Sequence, residues 1–162
     1  MAKEEPGIKR SVLFVCSANQ CRSPMAMIMF NDLVARRNAQ SEKWRIESAG
    51  IWAISGYSAT DFANRTLMDM DLDLNTHRSQ PVTESLLEEF KLILCMENEQ
   101  VNFLKQNFLD SKDKVFLLSE MIGENKDISD PAGYSLDAYK DTAKEIHSFL
   151  EKGFPKISKL LE

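Results

Sequence analysis

The stretch Val12-Leu-Phe-Val-Cys16-Ser-Ala-Asn-Gln-Cys21-Arg22-Ser23-Pro24 decides how this chain is read. Ser11 to Val15 is a run rich in β-branched and aromatic side chains, the composition of a parallel strand buried on both faces. Ser23-Pro24 offers an N-cap followed by proline at the first helical position. Met25 to Arg37 then repeats Met25, Ile28, Met29, Leu33 and Val34 at helical spacing. Strand, loop and helix are therefore predicted in that order, and in an open parallel sheet ligands gather at the carboxyl ends of strands. Cys16 stands at such an end. The backbone N–H groups of a loop this long can turn inward as an anion nest beside a helix N-terminus. Arg22 adds a rigid cationic fork suited to a phosphate dianion. A positive cradle of this kind favours a thiolate over a thiol, and Ser23 is placed to donate to the sulfur. A thiolate beneath an anion cradle, with an arginine above it, is a device for nucleophilic phosphoryl transfer. The Cys-x5-Arg spacing alone is a weak signal, and the strand before it and the Ser-Pro and helix after it give it weight. The plainer alternative keeps Cys16 as a small core residue and Arg22 as a surface charge.

Outward from this loop, short apolar runs alternate with longer amphipathic ones, the pattern of βαβ units. Strands are predicted at Trp44 to Ala49, Lys91 to Met96 and Lys114 to Leu118. Helices are predicted at Thr60 to Met70, Thr83 to Glu89, Glu97 to Phe108 and Ser135 to Lys152, the last closed by Gly153 and Pro155. Asp71 to Pro81 and Ile122 to Tyr134 read as loops. The fold class is α/β: a single domain over 1–162, a four-stranded parallel sheet with helices on both faces, and residues 1–9 flexible.

The 162 residues are 43% hydrophobic and 28% charged, which excludes a disordered tail, a collagen-like repeat and a disulfide-stapled miniprotein. A net charge of −5 weighs against nucleic-acid binding. The longest strictly apolar run, Met25 to Phe30, is too short to span a bilayer. Three cysteines and a first ten residues without an apolar core point to a reducing cytoplasm. No Cys/His spacing resembles a zinc site, and Asp69, Asp71 and Asp73 lack the glycine and glutamate of a calcium loop. Neither a metal nor an organic cofactor is expected.

The loop resembles the signature of the low-molecular-weight protein tyrosine phosphatases, a Cys-x5-Arg-Ser-Pro segment after a first strand. The resemblance continues at Ser48-Ala49-Gly50, Thr76-His77-Arg78-Ser79, Leu92-Ile-Leu-Cys-Met96 and Asp130-Pro131, and so covers nearly the whole chain. It implies the same four-stranded fold and assigns Cys16 as nucleophile and Arg22 as binder of the phosphoryl oxygens. Asp130 becomes the acid that protonates the leaving atom and the base that later activates water. Ser17, Ala18, Asn19, Gln20, Cys21 and Ser23 make up the rest of the phosphate-binding loop, with Asn19 holding its shape, supported by Ser48 and His77. Cys21 matches the family's second loop cysteine, which pairs with the nucleophile under oxidation. The partner implied is a phosphorylated protein, with a monomer favoured.

Several residues keep alternatives open. Asp130-Pro131 is also a common turn pair, and Asp127 is a rival acid. His77 reads as structural rather than as a base, and Cys95 as core. Ala18 stores strain if its position needs a positive φ. Tyrosine-selective relatives place aromatic rings just after Asp-Pro, whereas this chain has Ala132 and Gly133, with Tyr134 beyond. Trp52 is either the opposite wall of the substrate slot or a loop anchor. At position 20 the family's tyrosine phosphatases carry an apolar residue and its protein-arginine phosphatases threonine; Gln20 matches neither. Phosphotyrosine is the expected substrate class and phosphoarginine the alternative. An arsenate reductase is disfavoured because only Cys95 lies outside the loop. A phosphocysteine carrier is disfavoured because Arg22 and Asp130 would hydrolyse it. A non-catalytic phosphate-binding or redox-sensing protein is the remaining alternative.

Overall fold

The computed structural model describes residues 7–37 and 40–162. Four strands, β1 (Arg10–Cys16), β2 (Trp44–Gly50), β3 (Leu92–Cys95) and β4 (Val115–Leu117), form one sheet in the order β2-β1-β3-β4, with every pairing parallel. The central strand β1 is paired on both edges, so its seven residues are nearly all buried, as its composition predicts. In register, Cys16 lies beside Gly50 and Val15 beside Cys95. Three strand ends thus open at the same edge of the sheet.

Among the described residues five helices cover the two faces: α1 (Arg22–Arg36), α2 (Asp61–Met68), α3 (Glu84–Glu88), α4 (Asn98–Asn107) and α5 (Leu136–Leu160). Because side chains alternate along a strand, Val12, Phe14, Leu92 and Leu94 face α1, α2 and α5, where they meet Phe30, Leu67 and Ile146. Leu13, Val15, Ile93, Cys95, Val115 and Leu117 face the other way, onto Leu87 of α3 and Val101 and Leu104 of α4. The α/β architecture and its parallel sheet are as the sequence predicts. Of the segment expected to be flexible, residues 1–6 lie outside the described residues, while the Lys9 amide donates to the Lys43 carbonyl at 3.0 Å.

Two helix ends differ from their sequence signals. Helix α1 begins at Arg22 with Cys21 at the cap position, so Ser23 is its second residue rather than its N-cap. Pro24 still falls in the first turn, where no amide has an intrahelical partner to lose. Helix α5 does not stop at Gly153 and Pro155 but continues to Leu160. Beyond the proline, Ile157 and Leu161 are buried in the core, and their burial outweighs an interior proline that costs about 3 kcal/mol. Gly153 serves packing here: a β-carbon on it would meet Met121 Cβ at 2.8 Å. The segment after β4 is a 3-10 helix at Leu118–Ile122 before it becomes an open loop.

Candidate active site

Residues 16–22 leave the end of β1 and enter α1 through a tight loop whose carbonyls are tied outward. The Cys16, Ser17, Gln20 and Cys21 carbonyls accept from the amides of Ile51, Trp52, Thr60 and Met25 at 3.0, 2.8, 2.9 and 3.1 Å. The Asn19 carbonyl accepts from His77 Nε2 at 2.7 Å. With the carbonyls held outside, the opposite edges of these peptide planes face the interior of the loop, as an anion nest requires.

Asn19 is the hub of the loop. Its φ of 58° is left-handed, a conformation an asparagine tolerates better than most side chains. Ala18 does not share it, so the strain considered for Ala18 falls on Asn19 instead. Asn19 Nδ2 donates to Ser23 Oγ at 2.8 Å and Ser48 Oγ at 2.9 Å, and its Oδ1 accepts from the Gln80 amide at 2.9 Å. Its side chain is fully buried. Gly50 lies directly behind: a β-carbon there would come 2.5 Å from the Ser17 carbonyl oxygen and 2.9 Å from the Asn19 nitrogen.

Within the loop, Cys16 Sγ lies 2.9 Å from Ser23 Oγ. The same hydroxyl reaches the Ala49 carbonyl at 3.3 Å, so its single proton has a choice between the sulfur and the backbone. Arg22 is almost completely buried. Its Nη1 donates to Glu97 Oε1 and to the Ile128 carbonyl, the latter at 2.7 Å. Its Nη2 lies 3.7 Å from Asp130 Oδ2. Burial opposes the guanidinium charge, but the Cys16 sulfur and the Glu97 and Asp130 carboxylates outweigh it, and the pKa rises. Both protons of Nη1 are thereby used, which leaves Nε and Nη2 for an anion.

Asp130 is 48% exposed, and its Oδ1 accepts from the Ala132 amide at 3.0 Å, so the carboxylate is aimed by its own turn. Asp127 faces elsewhere: its Oδ1 takes the Asn98 amide at 2.8 Å and the Asn98 side chain at 2.9 Å. A cavity of about 70 Å³ is lined by Cys16, Ala18, Gln20, Cys21, Arg22, Thr60, Asp130 and Ala132. Trp52 and Tyr134 are absent from that lining. The Trp52 ring packs on Phe103 with centroids 5.0 Å apart and borders a neighbouring recess, while Tyr134 is 70% exposed. Gln20 lines the cavity, and its Nε2 donates to the Ser58 carbonyl at 3.1 Å.

Cys21 shares the cavity with Cys16, and both are free thiols. Burial, with Cys16 and Asp130 nearby, pushes the Cys21 thiol up. Burial likewise raises the Tyr139 phenol, with Cys21 and Asp130 adding to the shift and Thr60 opposing it. His77 is lowered by burial, against its bond to the Asn19 backbone. It holds the loop carbonyl and is not among the residues lining the cavity. Four contributors escaped the sequence reading: Glu97, Gln100, Gln80 and Thr60. Gln100 is fully buried, takes the Met96 and Glu97 amides at 2.9 Å each, and donates to Ser17 Oγ at 3.2 Å. Glu97 and Gln100 follow Met96 at a strand end, the one sequence position that marked them.

The family model described as low molecular weight phosphotyrosine protein phosphatase matches residues 11–161. The protein-arginine-phosphatase of Bacillus subtilis (strain 168) is 35% identical over 149 residues, 91% of this chain and 97% of that one. A crystal structure of a YwlE mutant from Bacillus subtilis superposes with a TM-score of 0.85 at 34% identity, over 93% of this chain and 99% of that chain. That of a low molecular weight protein tyrosine phosphatase from T. tengcongensis gives 0.83 at 34% identity, over 91% and 99%.

Proposed function

Because the chain belongs to the low molecular weight phosphotyrosine protein phosphatase family, we propose that it hydrolyses phosphorylated protein side chains, phosphotyrosine first, through a phospho-Cys16 intermediate. The outward-tied carbonyls of Cys16, Ser17, Asn19, Gln20 and Cys21 carry this reading, because they turn the loop into a preformed oxyanion cradle around Cys16. In the first step Cys16 Sγ attacks phosphorus in line. The S–P bond forms as the bond to the leaving oxygen breaks, and Asp130 delivers a proton to that oxygen. In the second step a water gives its proton to Asp130 and attacks phosphorus, and the Cys16 thiolate leaves, steadied by Ser23 Oγ. Arg22 meets the equatorial oxygens with Nε and Nη2 while Glu97 and the Ile128 carbonyl hold the opposite edge. Charge that develops is met by the loop and Arg22, so the reading calls for no cofactor. Cys21, beside Cys16 in one cavity, is the partner for a protective disulfide.

Phosphoarginine is the second reading, and the lining of the cavity favours it. Gln20, Thr60, Asp130 and Ala132 surround the entrance to Cys16 without an aromatic ring to clamp a phenol, and a guanidinium finds hydrogen-bond acceptors there. For phosphoarginine the breaking bond is P–N, and Asp130 protonates nitrogen. No helix among the described residues is long and apolar enough to cross a membrane. The acidic balance and three free cysteines fit a monomer of a reducing cytoplasm. The test is turnover of matched phosphotyrosine and phosphoarginine peptides, with Cys16→Ser as blank. Hydrolysis above the blank is expected, and the ratio assigns the substrate. No hydrolysis of either peptide overturns the reading.

A further inference from the structure

A second recess, of about 180 Å³, lies against the catalytic cavity and shares Ala18 and Gln20 with it as a common wall. Its other sides are Trp52, Ile54 and Tyr57, exposed to 61%, 68% and 54%. Single exposed apolar residues need no explanation, but three large ones converging on one concavity beside a reaction centre do. None of the five lining residues is charged.

The segment that carries this rim is held in place. The Trp52 amide donates to the Ser17 carbonyl at 2.8 Å, which ties the rim to the anion loop itself. The Trp52 ring rests on Phe103. The Tyr57 amide donates to Ser79 Oγ at 2.9 Å, the Ser79 amide returns to the Tyr57 carbonyl at 2.7 Å, and the Gly56 amide reaches the Ser79 carbonyl at 2.8 Å. Ser79 is itself buried. A rim fixed in this way gives up little conformational entropy when it is covered.

We infer that this recess receives an apolar side chain of the protein substrate, one or two positions from the phosphorylated residue. This rests on the phosphatase reading and refines it, because Trp52 then recognises the neighbour of the phosphorylated residue rather than the residue itself. In an extended peptide, alternate side chains share a face about 6.6 Å apart. Two concavities divided by one alanine and one glutamine suit such a spacing. An uncharged lining with exposed aromatic and aliphatic carbon favours leucine-like flanks and disfavours aspartate.

The experiment uses two peptides that differ only in carrying leucine or aspartate at the two positions on each side of the phosphorylated residue. Their kcat/KM ratio is measured on the full-length enzyme, and their Kd ratio on the Cys16→Ser variant. The leucine peptide is expected to be favoured about tenfold, mainly through KM, the discrimination typical of a modest apolar pocket. In Ile54→Asp and in Tyr57→Ser the ratio is expected to fall below threefold. A wild-type ratio within twofold, or a ratio that survives in both variants, overturns the inference. Hydrolysis of p-nitrophenyl phosphate, which has no flanking residue, tests the chemistry separately. If it and both peptides are inert, the phosphatase reading fails, and the Kd ratio on Cys16→Ser still decides the recess.

Discussion

Gly50→Ala is a demanding test of the loop, because it changes no group that touches substrate. The added β-carbon would lie 2.5 Å from the Ser17 carbonyl oxygen, 2.9 Å from the Asn19 nitrogen and 3.0 Å from the Ala18 carbonyl carbon. Ordinary contact begins at 3.4 Å, so the loop must withdraw by 3.4 − 2.5, about 0.9 Å. All three atoms are backbone, and no rotamer change relieves them. Overpacking of this kind costs about 1–3 kcal/mol, which lowers Tm by about 2–4 °C per kcal/mol in a domain of this size. The larger effect is on rate, since a displacement of about 1 Å at a reacting centre costs about 10²-fold. Expected, therefore, is a folded variant whose kcat/KM for p-nitrophenyl phosphate falls about a hundredfold. Gly123→Ala is the control: its φ of 77° strains an alanine, yet nothing lies within 4 Å of the new carbon, so stability drops while the rate holds. Gly50→Ala turning over within threefold of wild type would refute the idea that Gly50 spaces the anion loop.

Other outcomes follow from the same geometry. Asp130→Ala should slow substrates with poor leaving groups by 10²–10⁴-fold and p-nitrophenyl phosphate much less; equal slowing, measured by steady-state kinetics, would remove Asp130 as the acid. Glu97→Leu removes the carboxylate bonded to the buried Arg22 and leaves it the Ile128 carbonyl, Asp130 and the Cys16 sulfur, and urea unfolding should show a loss of about 3 kcal/mol; less than 1 kcal/mol would mean the pair is not needed. His77 has its pKa held below the ordinary 6.5 by burial, so the unfolded chain binds its proton more readily. Stability from this group is full above pH 6.5 and is lost as pH falls below it. Denaturation midpoints at pH 7.5 and 5.5 should therefore diverge more in wild type than in His77→Gln, and parallel slopes would contradict the assignment.

Local signals made β1 and its loop legible. A buried strand, a Cys-x5-Arg spacing and a Ser-Pro are all contained in 13 consecutive residues. The partners of that loop are not local. Glu97 is 75 residues from Arg22, and Gln80 is 61 from Asn19; parallel strands bring them together only because β1 lies between β2 and β3. Ser23-Pro24 has the residue preferences of a cap, but the hydroxyl is drawn to Cys16 and Asn19 instead. Gly153 and Pro155 likewise carry the residue preferences of a helix stop. Packing against Met121 and burial of Ile157 and Leu161 override both local preferences.

Arg22 ties three distant segments into one cooperative unit: the first turn of α1, Glu97 ahead of α4, and the loop that carries both Ile128 and Asp130. The Ile128 amide is also bonded to the Met96 carbonyl at 2.8 Å, so releasing that loop means breaking backbone and guanidinium contacts together. Local opening free energies follow such coupled contacts. Under the proposed mechanism, amide exchange in residues 123–134 is expected to report the occupancy of Arg22, slowing when an oxyanion binds and recovering when it leaves. Arg22→Ala would accordingly free the loop that carries Asp130 as well as removing a charge, and under the proposed mechanism its kinetic cost sums binding and protonation.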